Sequence, residues 1–385
     1  MTFNMLTFVA WLLLLASGAG CLYLAVAGMA VRRFAARPRS QFCDSASVTV
    51  LKPLCGEDPE LYENLKSFCR QNHPRFQIVF GVQDAADPAI AVVRRLMSEF
   101  PDGDLELVVD DARHSNNLKV ANLQNMMPRA RHGLIVLADS DMRVTQSYLA
   151  EITAPLGDPL IGLVTCLYRG LPAGGVWSRL ACNHVNHGFL PQAVVADLLG
   201  LGAGCFGATI ALRRETLAAI GGFAAVGDDL ADDHALGAAV RRRGLRIVLS
   251  PHIVDDVIAE PSLAALFRHE LRWARTIRLV APAGFAASVV TQPVVLALAA
   301  CAAGTLPLAA PAMLAVALAS RLAMVRLVDR ALGLPPTPLW SVPARDLLSF
   351  AVFVASFFAR RVAWRDRTFR IGRNGHMILD GDRPA

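Results

Sequence analysis

At 385 residues and 54% hydrophobic side chains, the chain is more apolar than a fully soluble enzyme and long enough for one large domain or two smaller ones. Its formal net charge of +6 is nearly all arginine (Lys52, Lys66 and Lys119 are the only lysines) and gathers beside apolar segments, which points to a membrane surface and away from nucleic acid. Eight cysteines, at 21, 43, 55, 69, 166, 182, 205 and 301, contain no CxxC pair, which argues against a disulfide framework or zinc site and suits a reducing compartment.

Residues 6–31 contain no Asp, Glu, Lys or Arg. As a helix they would measure about 39 Å, enough to cross a hydrocarbon core of ~30 Å. No basic residue precedes them, as a signal peptide requires, whereas Arg32, Arg33, Arg37 and Arg39 follow. The segment therefore reads as an uncleaved anchor, its amino terminus outside and the next domain in the cytoplasm. From Ser47 short apolar runs alternate with helical stretches. Residues 48–51, 76–82, 105–109 and 134–138 read as strands, with helices over 59–70 (Pro59 in its first turn), 88–100 and 118–127 between them. This rhythm predicts an α/β fold with a largely parallel sheet and helices on both faces. Such sheets take ligands at the carboxyl ends of their strands, where Asp84 and the Asp139/Asp141 pair fall.

Further along, 162–167, 206–212 and 246–249 read as strands and 231–243 as a helix stopping at Gly244. Residues 263–279 form an Arg-rich amphipathic helix. The uncharged block 280–320 is too long for one span and divides around 304–311 into a hairpin. Residues 347–359 are too few to span and read as an interfacial or re-entrant segment. Arginines cluster again at Arg321, Arg326 and Arg330, and at Arg360, Arg361, Arg365, Arg367 and Arg370. The expected layout is an anchor over 1–31, a cytoplasmic catalytic domain over 45–279, a transmembrane hairpin over 280–325, and an interfacial segment with a basic cytoplasmic tail over 326–385. That is a multi-pass protein of the cell (inner) membrane. Too few apolar blocks, without buried charges, argue against a transporter.

Three acidic or aromatic clusters stand out. Asp139-x-Asp141 at a strand end offers two carboxylates to a hard cation such as Mg²⁺, which can bridge a protein to a diphosphate; a solvated acidic turn would look the same. Asp228-Asp229-Leu230-Ala231-Asp232-Asp233 sets four carboxylates at a helix start, more than the helix dipole needs, and crowding raises their proton affinity as a general base requires. His269-Glu270-Leu271-Arg272-Trp273 lies on the amphipathic helix, where arginine and tryptophan also suit lipid headgroups.

In combination and in this order, the segments resemble the family-2-like inverting glycosyltransferases of the GT-A fold. Within them the chain looks most like the ceramide glucosyltransferase group (family 21), which includes bacterial hopanoid-biosynthesis glycosyltransferases. The resemblance covers roughly residues 45–285. It rests on Val82-Gln83-Asp84 with Asp87-Pro88-Ala89, Asn117-Leu118-Lys119 with Asn122-Leu123, and Ala138-Asp139-Ser140-Asp141-Met142-Arg143-Val144. Gly221-Gly222-Phe223, Ala231-Asp232-Asp233 and Leu271-Arg272-Trp273 complete it.

The resemblance implies a GT-A nucleotide-diphospho-sugar transferase fold, Rossmann-like with a mostly parallel sheet, and flanking transmembrane helices. It implies that Asp84 binds uridine beside the Lys52-Pro53-Leu54 loop, that Lys119 and Asn122 line the donor pocket, and that Asp139 contacts the donor's ribose or sugar. Asp141, with Asp139, would hold Mg²⁺ or Mn²⁺ on the diphosphate. Asp233 matches the catalytic base and Asp232 its usual acidic neighbour. Arg272 and Trp273 would hold the leaving diphosphate and close the acceptor site. His187, in Asn183-His184-Val185-Asn186-His187, falls where the ceramide enzymes have a functional histidine. The family's (Q/R)xxRW pattern begins here with His269, a departure from the Gln typical of processive synthases.

The implied reaction is one in-line displacement with inversion, moving glucose or N-acetylglucosamine from a UDP-sugar to a lipid hydroxyl at the bilayer. The Ala- and Arg-rich, Lys-poor composition looks bacterial and favours a hopanoid polyol as acceptor, with a ceramide glucosyltransferase as the alternative. A processive polysaccharide synthase would share the donor residues but predicts more spans. No obligate protein partner is expected.

Overall fold

The computed structural model describes residues 4–39, 46–201 and 204–358, together with the backbone of three short strands, Arg361–Trp364, Arg367–Ile371 and Met377–Leu379. Cys43, Arg360 and Arg365, and the side chains of Arg361, Arg367 and Arg370, lie outside the described residues. The chain divides into two compact units. One comprises Pro38–Gly175 and Gly200–Ala259; the other takes the amino-terminal helix, Val176–Leu199 and the residues from Glu260. The expected continuous domain over 45–279 is therefore interrupted by a helical insert.

In chain order the strands are β1 (Val48–Pro53), β2 (Phe76–Val82), β3 (Leu105–Val109), β4 (Leu134–Leu137), β5 (Met142–Arg143), β6 (Ile161–Pro172), β7 (Ile210–Arg213) and β8 (Arg246–Ile258). The helices begin with α1 (Met5–Ala35), α2 (Leu61–Cys69), α3 (Ala89–Glu99), α4 (Leu118–Met126), α5 (Tyr148–Thr153), α6 (Gly175–His184) and α7 (Leu190–Leu198). They continue with α8 (Arg214–Ala219), α9 (Asp232–Arg242), α10 (Leu263–Val280), α11 (Pro282–Ala287), α12 (Pro293–Ala302), α13 (Ala309–Leu332) and α14 (Ser341–Ser356).

The first unit is an eight-stranded sheet in the order β3-β2-β1-β4-β7-β6-β8-β5. β1 runs parallel to β2 and β4, and β2 to β3, as the sequence predicts. β7, however, is antiparallel to both β4 and β6, and β5 is antiparallel to β8, so the sheet is mixed. Successive side chains of a strand point to opposite faces. Val48, Val50, Ile78, Phe80 and Val136 accordingly meet Leu65 and Phe68 of α2, Val93 of α3 and Ile152 of α5. Leu51, Val79, Ile135 and Leu137 meet Val120 and Leu123 of α4, Leu217 of α8 and Leu236 of α9. Covering both faces is why β1, β2 and β4 read as near-continuous apolar runs. Two expected elements end elsewhere. Pro59 lies ahead of α2, whose N-cap Glu60 is left-handed (φ 56); the strand expected over 206–212 is β7 alone, and residues 206–209 form a turn ahead of it.

In the helical unit, α1 and α13 are each long and apolar enough to cross a membrane. They run in the same direction, since Leu14 meets Ala310, Gly18 faces Met313 and Gly28 faces Met324 and Leu327. α12 runs against α1, bringing Ala300 to Leu14 and Val294 toward Cys21. The first arm of the expected hairpin is not one helix: it bends by 69° between Pro282–Thr291 and Pro293–Ala302. α1 adapts to that break. The Ser17 hydroxyl donates to Pro293 O at 2.9 Å, and a Cβ on Gly20 would lie 2.4 Å from Val290 O, so only glycine admits the approach.

The apolar blocks do flank buried charges, contrary to expectation. Arg321 of α13 donates through Nε to Asp346 of α14 at 3.0 Å, and Asp329 of α13 is 3% exposed. Arg321, expected at the membrane surface with the other arginines, is an internal partner of Asp346 instead. α14 also starts before the expected segment at 347, and its first turns carry Arg345 and Asp346 inward.

Candidate active site

The carboxyl ends of β1, β2 and β4 lie side by side in the sheet, and the chain places an acid after two of them. Asp84, just beyond β2, is exposed and accepts from Ala86 N at 2.8 Å, a tight turn that holds its carboxylate at the rim. Pro53 ends β1. Lys52 beside it is fully buried, its ammonium 3.9 Å from the Phe68 ring centroid and donating to the carbonyl of Asp139. It pins the Asp139–Asp141 turn from beneath. Asn122 is buried too, giving its amide to Gly81 O at 2.8 Å and Leu54 O at 3.5 Å. The geometry of Lys52 and Asn122 thus differs from the donor-lining position expected of them: both brace the strand ends from below.

Lys119 projects from the first turn of α4 and binds Asp139 Oδ1 at 2.5 Å and Asp232 Oδ2 at 3.9 Å. Asn117 makes that possible. As the N-cap its Oδ1 accepts from Lys119 N at 3.0 Å and Val120 N at 3.2 Å, while its Nδ2 donates to Asp229 O at 3.0 Å. One asparagine thereby starts α4 and ties it to the turn that starts α9. Asp232 and Asp233 occupy the first turn of α9. Asp233 accepts from Gly207 N at 3.0 Å through Oδ2 and from His234 N at 2.7 Å through Oδ1. A Cβ on Gly207 would stand 3.2 Å from Asp139 Oδ2, 3.4 Å from Lys119 Nζ and 3.6 Å from Asp233 Oδ2. Gly207 therefore lies where Asp139, Lys119 and Asp233 converge. Nothing in a lone glycine marks it in the sequence; Asn117 entered there only within the Asn117-Leu118-Lys119 segment, and its capping role comes from the structure.

Burial sets the electrostatics. It raises the Asp233 carboxyl to about 6, assisted by Asp232 and opposed by Lys119. Burial also raises Asp232, again against Lys119. Asp141 is raised to about 7 by burial, then by Asp139 and Asp58, with Lys52 opposing. Lys52 is lowered to about 7 by burial, against the pull of Asp141, Asp139 and Asp58. Asp256 of β8 is pushed well up by burial and by Asp141, Asp139 and Asp58. Asp58 accepts from Ser140 Oγ at 2.5 Å. Neither Asp58 nor Asp256 was singled out from the sequence, because each reaches the turn from a distant segment.

This concentration of acid bears on a metal. Asp141 Oδ1 is buried without a hydrogen-bond partner, a costly state for a carboxylate oxygen. Among the described residues no three of His, Cys, Asp and Glu assemble into a complete ligand set. The residues fit a cation that takes one or two carboxylate oxygens from the protein and the rest from phosphate and water, the usual manner of Mg²⁺.

The remaining predicted residues belong to the helical unit. Arg272 and Trp273 lie on α10. The Trp273 ring centroid is 4.3 Å from that of His269 and 6.5 Å, nearly parallel, from that of His184. His269 is oriented by Glu260, Nδ1 to Oε1 at 2.7 Å. His187 sits in a π-helical turn, Val185–Phe189, buried with Nε2 2.7 Å from Asp329 Oδ1. Within this unit Trp273 thus meets two histidine rings, His269 and His184, while His187 belongs to a buried network with Asp329 and Thr337.

Fold and site together define a GT-A glycosyltransferase architecture. Over 92% of this chain and 98% of the other, the structure is similar to the mannosyltransferase PcManGT from Pyrobaculum calidifontis in complex with GDP-Man and Mn²⁺, with a TM-score of 0.55 and 22% identity. Residues 11–377 match Glycosyl transferase family 21, and the chain belongs to that family. Among curated proteins it is similar to ceramide glucosyltransferase 1 of Caenorhabditis elegans, 24% identical over 59% of this chain and 48% of that one. It is also similar to an N-acetylglucosaminyltransferase of Rhizobium meliloti, 23% identical over 60% of this chain and 55% of that one. The chain spans about half the length of these curated relatives.

Proposed function

We propose that the protein transfers a hexose, glucose or N-acetylglucosamine, from a UDP-sugar to the hydroxyl of a membrane lipid, with inversion at the anomeric carbon. The observation that carries this reading is the convergence of Asp139, Lys119 and Asp233 on Gly207 at the strand ends of a GT-A sheet. Asp84 would receive the uridine, and Asp139 the ribose or sugar. Asp141, with Asp139, would hold Mg²⁺ or Mn²⁺. Bound there, the cation supplies charge neutralisation on the diphosphate.

Asp233 takes the proton from the acceptor hydroxyl as that oxygen attacks the anomeric carbon. Its two backbone donors fix the carboxylate, and burial keeps it basic enough near neutrality. Asp232 and Lys119 set its charge environment. Arg272 is assigned to the departing diphosphate and Trp273 to the acceptor side, as the family resemblance implies. The catalytic unit would face the cytoplasm, with α1, the bent 282–302 segment and α13 crossing the membrane. α1 and α13 run in the same direction and end in Arg32, Arg33 and Arg330, which supports this orientation.

For the acceptor we favour a hopanoid polyol, on the bacterial composition. A ceramide is the second reading, favoured by similarity to ceramide glucosyltransferases. Membranes containing the protein, incubated with radiolabelled UDP-glucose or UDP-N-acetylglucosamine, should place label in a lipid extract when the matching lipid is added. Label in insoluble polymer would instead indicate a processive synthase, and no transfer from either donor would overturn the proposal.

A further inference from the structure

Arg345, in the first turns of α14, is 1% exposed, and Glu270, in the middle of α10, is 3% exposed. The guanidinium grips the carboxylate with both arms: Nη1 donates to Oε1 at 2.7 Å and Nη2 to Oε2 at 2.6 Å. The same Nη1 lies 3.3 Å from Leu180 O of α6, and Nε donates to Ser349 Oγ at 3.1 Å. One side chain therefore ties α14 to α10 and α6. These two helices carry the rings that meet at the indole. Trp273 lies one turn beyond Glu270 on α10, and His184 lies one turn beyond Leu180 on α6.

A buried ion pair is weak evidence for stability, because apolar residues of similar volume often replace it at no loss. A two-armed Arg–carboxylate contact does impose geometry, fixing both separation and rotation. We infer that Arg345 is a positioning residue for the Arg272-Trp273 segment, acting through Glu270 to set the rotation of α10 against α6. The inference rests on the role proposed above for Arg272 and Trp273. It extends the functional machinery to a helix outside the segments that carry the family motifs.

The test uses the full chain in detergent. Arg345→Met/Glu270→Met removes both charges and leaves neither orphaned, and Arg345→Lys keeps the charge without the fork. Each is measured for thermal stability, for UDP binding with Mn²⁺, for kcat and KM toward the lipid acceptor, and by fluorine NMR of fluorotryptophan-labelled protein. The Trp273 resonance is assigned with Trp273→Phe. The double variant should fold and bind UDP within about twofold of wild type, lose about 10–100-fold in kcat, and show a displaced Trp273 resonance, with Arg345→Lys between the two. A folded double variant with wild-type kcat overturns the inference, as does one that loses stability while kcat per folded molecule is unchanged. If the double variant does not fold, the same readouts on Arg345→Lys decide. If wild-type protein transfers no sugar, the proposed function fails, and the Trp273 resonance alone then decides whether Arg345 positions the indole.

Discussion

A carboxylate can act as a base near neutrality only if something sustains its proton affinity, and at Asp233 that is burial, assisted by Asp232 and restrained by Lys119. Asp233→Asn should therefore leave UDP-sugar binding nearly intact and cut kcat by about 10²–10⁴-fold, measured by steady-state kinetics and donor titration. In the wild type, kcat/KM should fall as pH drops through about 6, because the proposed base, Asp233, becomes protonated there. Gly207→Ala would press a methyl against Asp139, Lys119 and Asp233. It should lower kcat/KM by about tenfold with little change in Tm, since the Asp139 carboxylate must give way by a few tenths of an ångström beside Lys119 and the proposed base. Asp141 gives a different pH signature. Its carboxyl is raised above the unfolded value of about 3.9, so its contribution to stability is complete below that value and lost as pH rises through about 7. Without metal, Asp141 should make Tm decline between about pH 4 and about pH 7 and contribute no further slope above that; the Mn²⁺-induced rise in Tm should be larger at the upper end, where no proton must be displaced.

At the scale of elements, the sheet was legible because short continuous apolar runs and the turns that bound them are local signals. The spans β2 and β3 follow directly from the apolar runs. Where tertiary pairing intervenes, the reading shifts. β7 is shorter than its apolar run because 206–209 must turn to present Gly207 to Asp233. The 282–302 segment has the hydropathy of a span but breaks at Gln292–Pro293, and α1 packs against the break through the Ser17 hydroxyl bond to Pro293 O and the close approach that Gly20 admits. In the proposed orientation, with α1 and α13 crossing in the same direction, the bent segment carries the chain from one membrane face to the other. Alkaline phosphatase fused after Gly304 should be active outside the cytoplasm, and fused after Gly333 inactive. The reverse pattern would overturn the orientation.

On the scale of the whole molecule, the chain forms two units interleaved in sequence, and the residues proposed for function occur in each. Asp84, Asp139, Asp141 and Asp233 belong to the sheet, and Arg272 and Trp273 to the helices. A single displacement with Asp233 as base predicts a β-linked product from an α-linked UDP-sugar; the anomeric coupling in the proton spectrum of the purified lipid reads it directly, and an α linkage would sink the scheme. The sequence by itself determined the apolar segments, the strand ends and the acids beyond them, because hydropathy, periodicity and turn chemistry act over a few neighbouring residues. Only the tertiary structure decided that Lys52 lies under the Asp139–Asp141 turn, that Gly207 meets Asp233, that His184 stacks on Trp273 and that Arg345 grips Glu270. Each of those contacts joins residues dozens of positions apart, and the charges involved are stable in the interior only once their partners arrive.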